Sequence, residues 1–122
     1  MVREGKRSVM ALVVAGGRGA RLGGPVPKQY QSLAGIPVLR HALLAFCHHP
    51  AITAAAAVIG ASDRELYDQA AQSLELLPPI VGGASRQQSV LHGLRGLAPL
   101  KPDLILIHDG ARPFVSASVI NN

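Results

Sequence analysis

A chain of 122 residues with 48% hydrophobic and 16% charged side chains is too apolar to be disordered and long enough for one hydrophobic core. No apolar run approaches the roughly 18 residues of a membrane span, and no signal-peptide region follows the basic start, so we expect a cytoplasmic protein. The net charge of +5 would suit a nucleic-acid binder, but the few aromatic residues do not alternate with basic residues as a base-stacking surface requires.

The predicted elements alternate between strand and helix. After a flexible start at residues 1–8, the apolar segment Val9–Ala15 predicts a buried parallel strand that ends at glycines. Residues 37–48 predict a helix with Pro37 in its first turn, because their apolar side chains recur on one face. Residues 54–60 then predict a second buried strand.

The alternation continues through the second half of the chain. Residues 62–73 predict a helix whose start carries Ser62 and Glu65 at capping-box spacing. Ile80–Val81 predicts the end of a short strand, and residues 85–97 predict a third helix. The apolar face of that helix is expected to comprise Val90, Leu91, Leu94 and Leu97.

The last predicted elements are a strand at residues 104–107 and a helix capped by Ser116. That helix reaches the end of the sequence after about two turns, and a helix so short is marginal alone. We therefore expect residues 9–122 to be the N-terminal part of a larger domain. Strands separated by helices predict right-handed crossovers and a doubly wound, mostly parallel α/β sheet of the Rossmann-like type.

Ligands of such sheets bind where the strands end at their carboxyl termini, which singles out the loops after Ala15, Val81 and residue 107. The first loop combines glycines, whose backbone N–H groups can approach phosphates closely, with the full charges of Arg21 and Lys28. Its spacing matches neither a Walker loop nor a dinucleotide fingerprint. The residues that directly follow the strand are Gly16, Gly17, Arg18 and Gly19.

Three segments resemble the motifs of one enzyme family. They are Pro-Lys-Gln-Tyr at residues 27–30, the pattern Gly-Gly-x-x-Arg-x-x-Ser-Val at residues 82–90, and His-Asp-x-Ala-Arg-Pro at residues 108–113. In this order they resemble the methylerythritol phosphate cytidylyltransferases. The resemblance implies transfer of a cytidylyl group from CTP to 2-C-methyl-D-erythritol 4-phosphate, with release of pyrophosphate, in isoprenoid precursor synthesis.

The resemblance also implies a role for each matching residue. Arg21 and Lys28 would hold the triphosphate and stabilise the charge that develops on its α-phosphate. Gly83 and Ser89 would contact the cytosine edge, and Asp109 would lie near the ribose and a bridging Mg²⁺ ion. The residues expected to bind the nucleotide through the first loop are Ala15, Gly16, Gly17, Arg18 and Gly19.

Several alternatives stay open. Asp109 could form a structural ion pair with Arg86 or Arg112, which we interpret mainly as structural residues, and Cys47 is interpreted as a packed rather than a reactive thiol. The chain could instead belong to another nucleotidyltransferase that acts on ribitol phosphate or a sugar phosphate. It could also be a nucleotide-binding fragment without catalytic activity. The family also includes fusions to a cyclodiphosphate synthase.

The resemblance implies partners as well as residues. They are CTP, the acceptor 2-C-methyl-D-erythritol 4-phosphate, Mg²⁺ and, at full length, a second copy of the protein. Neither nucleic acid nor membrane is expected as a partner. The acceptor-binding residues are expected outside these 122 residues.

Overall fold

A computed structural model of the chain describes residues 8–16 and 27–111. In chain order, its strands and α-helices are β1 (Val9–Ala15), β2 (Ser32–Leu33), β3 (Ile36–Pro37), α1 (Val38–Cys47), β4 (Ala54–Ile59), α2 (Arg64–Ala70), β5 (Ile80–Val81), α3 (Arg86–Leu97) and β6 (Leu104–Asp109). Short 3₁₀ helices occupy Lys28–Tyr30 and Ala98–Leu100. None of the helices in these ranges is long and apolar enough to cross a membrane.

The main sheet has four parallel strands in the order β5-β4-β1-β6. From β1 the chain moves to β4 and β5 on one side, and it then returns to place β6 on the other side of β1. Val14 consequently pairs with Val58 on one flank and with Asp109 on the other. The predicted doubly wound parallel sheet is confirmed, and its order reverses between β1 and β6, where such sheets bind ligands.

The two faces of β1 belong to two apolar clusters. One face, with Val13 at its centre, packs against α1 and α2, whereas the other, with Leu12, packs against α3. Gly93 brings α3 close to the sheet, since a Cβ atom there would lie 2.5 Å from a methyl carbon of Leu12. Burial on both faces explains why β1 is a continuous apolar run rather than an alternating pattern.

The start of α2 differs from the prediction. The helix begins at Arg64 with Asp63 at its N-cap, and no side chain caps it, so the capping box expected from Ser62 and Glu65 is wrong. A turn closed by the hydrogen bond from the Asp63 N–H to the Gly60 carbonyl (3.0 Å) leaves Ser62 outside the helix. The helix also ends at Ala70, earlier than predicted.

The segment before α1 contains a hairpin that the sequence analysis did not predict. Pro37 was expected in the first helical turn. It is instead the last residue of β3, where it pairs with Ser32 of β2, and the helix begins at Val38. The hairpin turns at Ala34 and Gly35, whose φ angles are 55° and 86°. A two-residue turn with positive φ at both positions matches the right-handed twist of the strands that it joins.

Two further expectations require correction. Leu91, predicted on the apolar face of α3, is 44% exposed, and the buried positions of the helix are Ser89, Gly93 and Leu97. Small residues at two of these positions let the helix approach the sheet, and this turns Leu91 outward. Ser8, assigned to the flexible start, is tied to the sheet because its carbonyl accepts hydrogen bonds from the N–H groups of residues 103 and 104.

Arg40 connects α1 to the carboxyl end of α2. Its guanidinium Nη1 donates to the carbonyl oxygens of Ala70 (2.9 Å) and Gln72 (2.7 Å). A charged donor at this end satisfies carbonyls that lack partners within the helix and opposes the negative end of the helix dipole. The same contacts hold the two helices of this face together.

We predict that Arg40→Met lowers the free energy of unfolding by about 1–3 kcal/mol, because hydrogen bonds from a charged group to two carbonyls are lost. Chemical denaturation followed by circular dichroism measures the change. The matched control is Arg95→Met, since Arg95 is exposed on α3. Equal destabilisation by the two substitutions would contradict the proposed contact.

Candidate active site

The carboxyl ends of β1 and β6 lie side by side at the position where the strand order reverses. Gly16 follows β1, and a Cβ atom there would lie 2.9 Å from the carbonyl carbon of Ile59 and 3.0 Å from the Gly60 nitrogen. Glycine is therefore required by the close approach of the neighbouring backbone. On the other side, the Gly110 N–H donates to the Val14 carbonyl at 2.8 Å, which keeps β1 and β6 together to their ends.

Lys28 occupies a single 3₁₀ turn beside the end of β1. The turn is closed by the hydrogen bond from the Tyr30 N–H to the Pro27 carbonyl (2.9 Å). Lys28 is exposed, whereas Gln29 and Tyr30 are buried at 6% exposure each. The Gln29 side-chain nitrogen donates to the Ala15 carbonyl at 2.6 Å, which holds the turn against β1.

Tyr30 anchors the other side of this turn. Its ring belongs to the apolar cluster that α1 and α2 share. Its hydroxyl has no hydrogen-bond partner among the described residues, and burial raises the pKa of that hydroxyl above its ordinary value. The ring, rather than the hydroxyl, is therefore the anchoring group.

The loop after β5 is held from two sides. The Gly82 N–H donates to the Ile59 carbonyl at 2.8 Å, which continues the ladder between β4 and β5. The Gly83 N–H donates to the Ser89 hydroxyl oxygen at 3.1 Å, and Ser89 is fully buried in α3. The two residues predicted to contact the base are thus joined directly to each other.

The first turn of α3 closes the same loop with two more side chains. Ser85 is the N-cap, and its hydroxyl oxygen accepts a hydrogen bond from the Gln88 N–H at 3.1 Å. The Gln88 side-chain oxygen in turn accepts from the Ala84 N–H at 2.8 Å. The N–H groups of Gly83 and Ala84 are therefore held by side chains of α3, and the Ser85 side chain holds the Gln88 N–H in return.

Asp109 is the last residue of β6 and folds back on its own backbone. Its Oδ1 accepts a hydrogen bond from the Ala111 N–H at 2.9 Å. It lines an open cleft of 380 Å³ together with Arg86, Ile107 and His108, so the end of β6 faces the start of α3. Within the described residues no ion pair joins Asp109 to Arg86, and the alternative partner Arg112 lies outside them.

Comparison of the sequence with protein-family models assigns the family. A model of the family described as IspD, 2-C-methyl-D-erythritol 4-phosphate cytidylyltransferase, matches residues 9–122. The chain belongs to this family. The match includes all three motif segments, and the described parts of these segments lie at the carboxyl edge of one sheet.

Curated relatives of the IspD family resemble the chain closely. It is 58% identical over 111 residues to the bifunctional enzyme IspD/IspF of Paramagnetospirillum magneticum and 52% identical over 114 residues to that of Rhodospirillum rubrum. These matches cover 91% and 93% of the chain but only 29% and 30% of the relatives. The chain therefore spans less than a third of the length of these relatives.

Solved structures share the fold. The crystal structure of 4-diphosphocytidyl-2C-methyl-D-erythritol synthase from Anaerococcus prevotii superposes with a TM-score of 0.77 at 24% identity, over 94% of this chain and 48% of that one. A second crystal structure of a 4-diphosphocytidyl-2C-methyl-D-erythritol synthase gives a TM-score of 0.76 at 26% identity, over 95% and 52%. Both likenesses confirm the predicted fold class.

The chemistry of Asp109 fits a Mg²⁺ ion that phosphates also hold. Within residues 8–16 and 27–111 no group of three or more histidine, cysteine or acidic side chains could form a metal cage. A carboxylate has more acceptor positions than the one that the Ala111 N–H occupies. Mg²⁺ characteristically binds one or two carboxylates together with substrate phosphates and water, so a single aspartate is a suitable protein ligand.

A larger cavity lies away from this edge. It has a volume of 660 Å³, lies beside the amino end of β4, and is lined by Cys47, Leu77 and neighbouring residues but by none of the predicted site residues. Burial raises the pKa of the Cys47 thiol above its ordinary value, and the nearby Glu75 raises it further. A thiol of this kind is mostly protonated at neutral pH, in agreement with the interpretation of Cys47 as a packed side chain.

The structure describes only part of the predicted site. It places the following predicted residues at one edge of the sheet: Ala15, Gly16, Lys28, Gly83, Ser89 and Asp109. Gly17, Arg18, Gly19 and Arg21 lie outside the described residues, as does the helix expected at Ser116. The sequence analysis gave no role to Gln29 or Gln88, because nothing in one sequence distinguishes a glutamine that bonds to the backbone from a solvated one.

We predict that Ser85→Ala lowers the free energy of unfolding by about 0.5–2 kcal/mol, the usual cost of losing an N-cap. It should also speed amide exchange in residues 82–88, because the loop and the first helical turn share the lost contact. Thermal unfolding and hydrogen exchange measure the two effects.

Ser62→Ala is the matched control, since Ser62 is exposed and lies outside α2. It should leave both quantities unchanged. If Ser62→Ala were as damaging as Ser85→Ala, the capping role of Ser85 would be refuted.

Proposed function

We propose that these residues form the nucleotide-binding part of an enzyme that transfers a cytidylyl group from CTP to 2-C-methyl-D-erythritol 4-phosphate. The observation that carries the proposal is the match of the cytidylyltransferase family model to residues 9–122. The geometry supports it, because the described motif residues meet at the edge where doubly wound sheets bind nucleotides.

The reaction joins two phosphates. An oxygen of the acceptor phosphate attacks the α-phosphorus of CTP, the bond from that phosphorus to the oxygen bridging the β-phosphate breaks, and pyrophosphate leaves. The attacking phosphate is already an anion, so the step requires no general base. The protein's contribution is to align the two phosphates and to stabilise the negative charge that develops on the oxygens of the α-phosphate.

We assign that charge stabilisation to Lys28 and Arg21. Lys28 is exposed on a turn that is bonded to the end of β1, so its ammonium group is available to a triphosphate at this edge. The backbone of Ala15 and Gly16 at the end of β1, continued by Gly17, Arg18 and Gly19, is the proposed phosphate cradle. Asp109 is the proposed protein ligand of the Mg²⁺ ion, which neutralises phosphate charge when bound.

The cytosine base is assigned to Gly83 and Ser89. A Cβ atom at Gly83 would lie 2.5 Å from the Gln88 Cβ atom, so glycine lets the first turn of α3 close on the loop, and the Gly83 N–H is held by the Ser89 hydroxyl oxygen. Ser89 is fully buried, so we assign it an indirect role, in which its hydroxyl oxygen holds the Gly83 backbone that would contact the base.

The remaining proposals concern partners and location. Tyr30, Phe46 and Tyr67 are buried in the core and so cannot stack on nucleobases, which argues against a nucleic-acid partner. We propose a cytoplasmic enzyme without a membrane partner that works as a homodimer at full length, with acceptor-binding residues outside these 122 positions.

Pyrophosphate release tests the function directly. The protein expressed from its complete reading frame is incubated with Mg²⁺, each of CTP, UTP, GTP and ATP, and each of three acceptors: 2-C-methyl-D-erythritol 4-phosphate, ribitol 5-phosphate and a sugar 1-phosphate. We expect rapid release only for CTP with 2-C-methyl-D-erythritol 4-phosphate. Comparable turnover with UTP and a sugar phosphate would contradict the proposal, as would no release with any pair.

Lys28→Gln should reduce kcat by about 100- to 1,000-fold, as the loss of one preorganised group at the reacting phosphate typically does. Its melting temperature should match the parent, because Lys28 is exposed. Lys101→Gln removes the same charge from an exposed position on a 3₁₀ helix end and should leave kcat unchanged. Equal rates for parent and Lys28→Gln would remove Lys28 from the mechanism.

A further inference from the structure

The Gln29 side chain connects the Lys28 turn to the sheet through a short hydrogen bond. Its side chain is 6% exposed, and its Nε2 donates to the Ala15 carbonyl oxygen at 2.6 Å. The two residues are separated by 14 positions in sequence, and the glycine-rich residues 17–26 lie between them. One buried hydrogen bond therefore joins the two residues that flank the sequence segment containing Arg21.

The local geometry explains why adjacent side chains behave differently. Successive residues of a 3₁₀ helix point about 120° apart, so one turn can present Lys28 to solvent while the next two side chains are buried. Tyr30 fixes the turn to the apolar cluster below α1 and α2, and Gln29 fixes it to β1. With two anchors on the following residues, the backbone of Lys28 has little freedom to rotate or slide.

The Ala15 carbonyl oxygen would be costly to leave without a hydrogen bond. Ala15 is the last residue of β1 and is 3% exposed, so water does not readily replace the Gln29 amide. A buried carbonyl without a hydrogen-bond donor is unfavourable, so this contact favours a single position of the Gln29 side chain. The same residue directly precedes Gly16, where the proposed phosphate cradle begins.

We infer that Gln29 is a positioning residue: by bonding to the end of β1, it sets the distance between the Lys28 ammonium and the phosphate cradle at Ala15 and Gly16. The inference rests on the proposed cytidylyl transfer. Gln29 itself contacts neither substrate nor metal, and its effect on the reaction passes through Lys28. A misplacement of a catalytic group by about 1 Å can cost roughly 100-fold in rate, so loss of the contact should be visible in kcat.

The first test is Gln29→Met in the protein expressed from its complete reading frame. Methionine has a similar volume but no donor for the Ala15 carbonyl. We expect kcat to fall by about 10- to 100-fold at a temperature where circular dichroism shows a native fold, with a smaller change in KM for CTP. Gln69→Met is the matched control, because Gln69 is exposed on α2, and it should keep the parent kcat.

The second test combines Gln29→Met with Lys28→Gln. If Gln29 acts through Lys28, the double variant should be no slower than Lys28→Gln alone, because the misplaced group is already absent. Multiplicative losses in the double variant would overturn the inference, as would a parent-like kcat for Gln29→Met. If Lys28→Gln itself kept the parent rate, the role of Lys28 in the proposed function would fail instead.

Gln29→Glu decides the matter should the methionine variant not fold. Glutamate preserves the length of the side chain, but only its protonated form can donate to the Ala15 carbonyl. Its kcat relative to the parent should therefore rise as the pH is lowered. A ratio that does not change with pH would overturn the inference.

Discussion

Strand β1 is hydrogen-bonded on both sides and packed on both faces, and the arrangement of the rest of the molecule depends on it. Its pairing with β4 and β6 places the point of strand-order reversal at its own carboxyl end. A strand with no free edge and no free face is held in one position, so the residues that follow its carboxyl end begin from a fixed backbone. Gly16 follows this end and lies against the backbone of Ile59 and Gly60, so closely that only a residue without a Cβ atom fits.

Around this strand, polar side chains rather than apolar ones organise the loops of the site. Gln29 bonds to the Ala15 carbonyl, Ser89 and Gln88 bond to the N–H groups of Gly83 and Ala84, and Asp109 bonds to the N–H of Ala111. Each contact satisfies a backbone group that the sheet or helix leaves without a partner. The result is a set of short loops with fixed backbones at one edge. Such an edge suits a reaction in which positioning and charge stabilisation do most of the chemistry.

The sequence predicted those parts of the fold that depend on local pattern. The four strands of the main sheet follow from short apolar runs that end at glycine or polar residues, and α3 follows from the helix predicted at residues 85–97. The described residues of the three motif segments lie at the carboxyl edge of this sheet. The assignment of roles to Gly83, Ser89 and Asp109 remains a proposal.

Features that depend on contacts distant in sequence were missed or wrong. The hairpin of β2 and β3 has only two residues per strand, too few for a period to show. Ser62 has the spacing of a capping residue, but the turn before α2 excludes it. Leu91 is apolar yet exposed, because small residues decide which side of α3 faces the sheet. The role of Gln29 depends on a carbonyl 14 positions away, which no local pattern reveals.

The central claim is that CTP binds at the carboxyl edge of β1, β5 and β6. Hydrogen–deuterium exchange of the full-length protein, with and without CTP and Mg²⁺, tests it most directly. We expect slower exchange in peptides that cover residues 12–16, 82–90 and 106–111. We expect no change around Cys47 and Leu77, which line the larger cavity away from this edge. Protection confined to that larger cavity, or the absence of protection at the three loops under saturating CTP, would contradict it.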